Sequence, residues 1–520
     1  MDTLLQNCTI YDGTSAPAFS GSVGFDSGKL RVFRGSEHPQ AQRTINANGL
    51  ALVPGFVDAH SHGDLNLVSP YATLSKLSQG ITTQIAGQCG VSLFPACTDE
   101  AQYTRFISGI APYPDIPNNI SQLASAEGFY AWLETLQNPI TTKSFLGHGT
   151  LRLWAMGYAN RKPDKGELAR MKDMLRRCIR EGALGLSTGL VYAPSCYADN
   201  EEILELLRVV HEEGGIYANH PRNEGDCVIE ARAETMQLAL EADVPLCISH
   251  MKAAGRQNWG KPHEMLAQID RAVERGLRAI IDSYPYMAGC TSLNVSIPPR
   301  YFTRGMQGLI EALNDPNERE IIREEIGRIS HYDNYVYNSG GFSGVYVASC
   351  PVDHSAEGMF ISEYAEKVGL DPFDAYCDIL IRNNGLGLGI YFHMSEDDVC
   401  EILTHPLCVL GTDGLIGKAG ENLHPRVFGA TARAYNLLVR EKQLLTPEAM
   451  IHKMSGQAAA FLALSGKGRI ADGMDADVLL IDLDKFHDTA TYQNGSALTQ
   501  GIEKIFINGH EIPLQSCNQD

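Results

Sequence analysis

Eight short apolar runs punctuate the middle of this chain, most of them separated by amphipathic segments. They are Phe56 to Ala59, Ile81 to Ala86, Ser144 to Leu146, Ala183 to Leu186, Gly215 to Ala218, Pro245 to Ser249, Leu277 to Asp282 and Leu407 to Gly411. Glu167 to Glu181, Asn200 to Glu213 and Glu264 to Arg275 lie between runs and repeat their apolar residues at helical spacing. Short strands apolar on both faces, alternating with helices, belong to parallel sheets covered by helical layers. Eight of them favour a closed (β/α)8 barrel over an open doubly wound sheet. The stretch from Met287 to Phe392 exceeds any ordinary barrel connection and predicts an excursion partly covering the barrel mouth.

The two ends read differently. Thr3 to Ile10 and Ser22 to Phe25, then Ala476 to Asp482 and Lys504 to Gly509, are β-type runs without helical periodicity. The expected class is therefore α/β: a (β/α)8 TIM-like barrel with a small β-sandwich built from both chain ends. The expected boundaries are 1–54 and 466–520 for the two parts of the sandwich, and 55–465 for the barrel with an insertion around 287–392.

Charge narrows the partners. Lys+Arg number 42 and Asp+Glu 62, a formal net charge of −20, so the whole-molecule field repels nucleic-acid phosphates. No stretch approaches the ~20 apolar residues that span a bilayer. Met1-Asp2-Thr3-Leu4 has neither the basic nor the apolar region of a signal peptide. Thirteen cysteines without a CxxC pair suit small buried hydrophobes in a reducing compartment. The expectation is a cytoplasmic protein acting on a small molecule, with no nucleic-acid or membrane partner; the oligomeric state is not read from the chain.

In a (β/α)8 enzyme the chemistry gathers at the C-terminal ends of the strands. Here the first run ends in Asp58-Ala59-His60-Ser61-His62 and the second leads to Gln88-Cys89-Gly90. The fifth ends in Asn219-His220, the sixth in Ser249-His250-Met251-Lys252, and the eighth in Gly411-Thr412-Asp413. A single strand-end His or Asp is more often structural, but four histidines, a thiol and a carboxylate at one end predict a metal site. His60 and His62 are two apart and face the same way on a regular strand. Imidazole and thiolate suit zinc, three protein ligands leave a position open for water, and zinc brings the pKa of water toward ~7. Asp413 is the candidate proton acceptor. The implied reaction is hydrolysis.

Pro54-Gly55-Phe56-Val57-Asp58-Ala59-His60-Ser61-His62, the strand-end histidines and the late Asp resemble the amidohydrolase superfamily, as does Gly468 to Asp477. Gln88 to Ser92, Gly147 to Arg152, Gly185 to Leu190, Ser249 to Lys252, Asp282 to Tyr286 and His424-Pro425-Arg426 resemble the D-aminoacylases, the N-acyl-D-amino-acid deacylases, over nearly the whole chain. The resemblance implies a tight zinc on Cys89, His220 and His250, with His60 and His62 forming a second, weaker metal position. Many superfamily relatives bridge two metals with a carboxylated lysine after the fourth strand. Leu186-Ser187-Thr188 offers none, which makes Cys89 the substitute.

An N-acyl amino acid carries a free α-carboxylate that needs cations and donors. Lys252, Tyr284 and Arg426 are suited to that role, and the resemblance assigns them to it. The D preference rests on the resemblance alone. The absence of a basic residue from Met287 to Val295 favours a neutral or apolar side chain. His148 reads as a core hydrogen-bonder, Asp58 as the group orienting the His60 region, and Glu318 to Arg328 as a solvated face. The alternatives are a cyclic-amide hydrolase of hydantoinase or dihydroorotase type, and a barrel scaffold without activity.

Overall fold

The computed structural model describes residues 1–35, 39–330 and 332–514. The eight apolar runs become eight parallel barrel strands: β1 Phe56–Asp58, β2 Ile81–Ala86, β3 Thr141–Ser144, β4 Gly185–Gly189, β5 Ile216–His220, β6 Leu246–Ile248, β7 Ala279–Ser283 and β8 Cys408–Leu410. Strand β3 is interrupted at Phe145. Its first part pairs with β2, and Leu146–Gly147 continues it beside β4. Pairing then runs β4 to β5 to β6 to β7 to β8. The ring closes where Ala59 N donates to Leu410 O at 3.2 Å and Asp413 N donates to His60 O at 2.8 Å. The eighth strand is thereby laced to the first at the level of the candidate ligands.

Helices expected from periodicity cover the outside. Lys165–Arg180 starts with a capping box between Asp164 and Glu167 and turns Met171, Leu175 and Cys178 inward. Asn200–Glu212 is capped by Asp199, and Lys261–Glu274 buries Met265, Leu266 and Ile269.

The long excursion has its own core. Strands Ala288–Ser292, Leu388–Phe392 and Val345–Ser349 form an antiparallel sheet with the middle one central. Helices Met306–Asn314, Pro316–Ile326, Ile361–Val368 and Pro372–Arg382 pack around Leu309, Leu313, Ile322, Phe373, Tyr376 and Leu380. The Glu318 to Arg328 charges stay on the outer side: Arg319 and Arg323 pair with Asp374 while Ile322 and Ile326 face in.

The chain ends meet in one eight-stranded sheet rather than two separate ones. Its order is His510–Ile512, Ile502–Ile507, Val478–Ile481, Ala51–Pro54, Thr3–Ile10, Phe19–Asp26, Lys29–Arg34, and Arg43–Asn46 also pairs with Thr3–Ile10. Leu5, Ile10, Val23, Phe25, Leu480 and Phe506 share its core. Residues 515–520, the end of the expected C-terminal part, lie outside the described residues. Among the described residues no helix is long and apolar enough to cross a membrane.

Candidate active site

The buried strand ends bring together two donor groups that share one sulfur. One is His60, His62, Cys89 and Asp413; the other is Cys89, His220 and His250; within each, one donor atom per residue lies within 4.8 Å of every other. Cys89 Sγ is 3.2 Å from His250 Nε2 and 3.4 Å from His60 Nε2. His220 Nδ1 lies 2.9 Å from His250 Nε2, and His62 Nε2 lies 3.2 Å from Asp413 Oδ1. All six residues are buried.

The backbone is bent to make this cluster. Cys89 (φ 52°), His250 (φ 30°) and Asp413 (φ 50°) adopt left-handed conformations that side-chain-bearing residues avoid. Each costs on the order of 1–3 kcal/mol and persists where the surroundings over-determine it, which is typical of functional positions. The Cys89 loop lies flat on the end of β4. A methyl on Gly189 would sit 2.0 Å from Cys89 O, and Ser187 Oγ accepts from Gly90 N at 3.1 Å and donates to Gly87 O. The loop carrying the thiol thus packs directly against the β4 end, where a bridging lysine is missing.

Carboxylates orient the histidine rings. Asp282, on β7, is 3.2 Å from His60 Nδ1 and accepts from His250 N at 2.7 Å. Glu224 Oε1 is 3.0 Å from His250 Nδ1. An ionised carboxylate only accepts, so Asp282 holds a proton on His60 Nδ1, whereas His250 Nδ1 lies between Glu224 Oε1 at 3.0 Å and Lys252 Nζ at 2.7 Å. Burial pushes the Cys89 thiol up, but His250 and His60, with hydrogen bonds from His220 and His250, hold it well below its ordinary value. That is the thiolate a metal ligand requires. Burial likewise raises Asp413, and Arg426 first, then His62, brings it well below the usual carboxylate range. His220 Nε2 and His62 Nδ1 have no hydrogen-bond partner among the described residues. A soft sulfur, four imidazoles and one carboxylate, converging within ligand distance, fit zinc.

Around the donors, Lys252 Nζ reaches both Glu224 oxygens at 2.8 Å, and Arg426 Nη1 lies 2.8 Å from Asp413 Oδ2. Arg426 also stands over the Tyr284 ring, 4.6 Å from its centroid. All nine sequence-predicted site residues therefore lie in one neighbourhood. Asp58 accepts from His60 N, Thr412 N and Lys76 Nζ at the base of the site. His148 bonds Ser195 and Glu202 away from the donors. Sequence reasoning missed Glu224, Tyr335 and His393. Glu224, four residues after His220, had a signal in its closeness to a ligand. Tyr335, which donates to Glu224 from 111 positions away at 3.2 Å, had none.

A thiolate-and-imidazole centre at the mouth of a (β/α)8 barrel, with a buried carboxylate beside it, defines a metal-dependent amidohydrolase. The amidohydrolase family model matches residues 43–280. N-acyl-D-aspartate deacylase of Alcaligenes xylosoxydans xylosoxydans is 30% identical over 98% of this chain and 92% of that protein. D-aminoacylase of the same organism is 29% identical over 98% and 94%. The crystal structure of N-acyl-D-glutamate deacylase from Bordetella bronchiseptica, complexed with zinc and a phosphonate mimic of the tetrahedral intermediate, aligns with a TM-score of 0.81 at 29% identity, covering 98% of this chain and 96% of that one. The chain belongs to the D-aminoacylase family of amidohydrolases.

Proposed function

We propose that this chain hydrolyses the amide bond of N-acyl-D-amino acids, releasing a carboxylic acid and a free D-amino acid. The observation that carries the reading is one pocket lined both by Cys89, His220, His250 and Asp413 and by Lys252 and Tyr284. A metal held by the first set would stand in the same pocket as groups suited to a carboxylate. Cys89, His220 and His250 would hold the tight zinc, and His60 and His62, with Cys89 and Asp413, a second and weaker one. Bound metal polarises the amide carbonyl and acidifies water. Asp413, kept ionised by Arg426, takes a proton from the attacking water and delivers it to the amide nitrogen as the C–N bond breaks. Lys252, Tyr284 and Arg426 grip the α-carboxylate.

A neutral or apolar side chain fits best. With Lys252 and Arg426 committed to the α-carboxylate, no other Lys or Arg among the described residues lines the pocket to meet an acidic side chain. An adjoining cavity shares Ile110 and Tyr192 with the metal pocket, and Phe106, Tyr158, Val295 and Phe302 make much of its wall. The D hand follows the three named relatives. The twelve cysteines among the described residues are all free thiols, which supports a reducing, cytoplasmic setting.

The test is a panel of N-acetyl-D-, N-acetyl-L- and cyclic amides, with zinc quantified in the same sample. Preferential hydrolysis of N-acetyl-D-leucine or N-acetyl-D-methionine is expected. Hydrolysis confined to hydantoin- or dihydroorotate-type rings would overturn the reading, and so would an enzyme selective for L substrates.

A further inference from the structure

Resting on the deacylase reading, the geometry assigns His393 to the substrate's α-carboxylate, as an uncharged donor working beside Tyr284. The two cations of the clamp are already engaged. Lys252 Nζ makes two hydrogen bonds to Glu224, and Arg426 faces Asp413. Each positive charge is thus largely cancelled before substrate arrives. Unpaired hydrogen-bonding capacity remains on Arg426 Nε and Nη1, and also on uncharged groups around the pocket. Tyr284 Oη and both ring nitrogens of His393 are buried and have no hydrogen-bond partner among the described residues. Buried polar groups are nearly always satisfied, so a cluster of open ones marks a place kept for a ligand.

The open groups converge. A methyl built on Gly289 would lie 3.2 Å from His393 Nε2 and 3.4 Å from Tyr284 Oη, so both face the same bare stretch of backbone in the pocket wall. The ring of His393 is packed at 5.7 Å from Tyr335 and stacked at 6.4 Å on Tyr391. Its backbone oxygen accepts from Gly255 N at 2.8 Å and Trp259 Nε1 at 3.1 Å, tying it to the loop after β6 that carries Lys252. The imidazole is therefore presented rather than mobile. Burial first, then Lys252, pushes its pKa down to about 3, so it is neutral at working pH. A neutral ring still keeps one N–H donor, and it adds no like charge to the Lys252 and Arg426 pair.

The experiment compares wild-type holoenzyme with His393→Phe and His393→Gln, on N-acetyl-D-leucine and on its C-terminal carboxamide. Zinc content and Tm are checked first, and His393→Met replaces the Phe variant if that one does not fold. For the acid, His393→Phe is expected to raise KM about tenfold with kcat changed less than threefold. KM for the carboxamide should shift less than threefold, and His393→Gln, which keeps a donor, should recover most of the loss. Binding of D-leucine by calorimetry should weaken about tenfold in His393→Phe. Equal shifts for acid and carboxamide would overturn the assignment. So would an altered ranking of D-leucine, D-asparagine and D-aspartate derivatives at a constant acid-to-carboxamide ratio, which would make His393 a side-chain reader. Wild-type protein that binds D-leucine but deacylates nothing would count against the deacylase reading alone. Unchanged D-leucine affinity in His393→Phe would count against His393 alone.

Discussion

Asp413 and Cys89 sit 324 positions apart in the chain, are held in left-handed backbone, and join the same donor group with His60 and His62. Their substitutions should fail in different ways. Asp413→Asn keeps the shape and leaves the Cys89, His220 and His250 group intact. It removes the proton acceptor, so kcat should fall on the order of 10²–10⁴-fold while about one zinc per chain remains by elemental analysis. A rate near that of wild type would reject the proton role. Cys89→Ala removes the only residue common to both donor groups, so zinc should be lost from both. Full metal content in that variant would mean that the sulfur only packs. The contrast matters because each loss of activity alone is ambiguous, whereas metal retained in one variant and lost in the other is not.

At the scale of elements, the site depends on how β1 and β8 are joined. Asp58, at the end of β1, accepts from Thr412 N at 2.7 Å and from Lys76 Nζ at 2.6 Å, and Lys76 also donates to Ser61 Oγ at 2.9 Å. This buried knot lies directly beneath His60, His62 and Asp413. Lys76→Met would leave the Asp58 charge buried and unpaired, a loss of about 3–5 kcal/mol. Denaturant unfolding should show it, and zinc should bind more weakly to the His60 and His62 side. A loss below about 1 kcal/mol would mean that the knot is not holding the seam. Strand positions and the convergence of the candidate donors were largely legible in the chain, because buried parallel strands are short apolar runs and chemistry-bearing residues gather at their ends. Lys76 was not, since it lies within a helix, Pro70–Leu77, whose periodicity says only that the position faces inward. Tyr335 and His393 were not for a different reason. The excursion folds them over the barrel through contacts that no local pattern encodes, as Tyr335 on Glu224 illustrates.

For the molecule as a whole, the terminal sheet stabilises the barrel from a distance without touching the donors. Val478–Ile481 pairs antiparallel with Ala51–Pro54, and Gly55 N donates to Asp477 O at 2.8 Å just where the chain enters β1. Strand β1 is thus anchored at its start by the sheet and at its end by the Asp58 knot. Phe506 is 1% exposed in the sheet's core and meets Phe25 edge-on, with ring centroids 5.1 Å apart. Phe506→Ala should cost about 3–5 kcal/mol, because a buried aromatic is removed and the cavity relaxes only in part. A domain net stability of only about 5–15 kcal/mol makes that a large fraction. The folded fraction should nevertheless keep its zinc and its kcat at 25 °C, since Phe506 lines neither the metal pocket nor the adjoining apolar cavity. Thermal unfolding should report a lower Tm, and elemental analysis with steady-state rates on the surviving folded protein should report no change. If instead zinc content fell in parallel with Tm, the sheet would be setting the geometry of β1 at His60 and His62, and the two layers would be one cooperative unit.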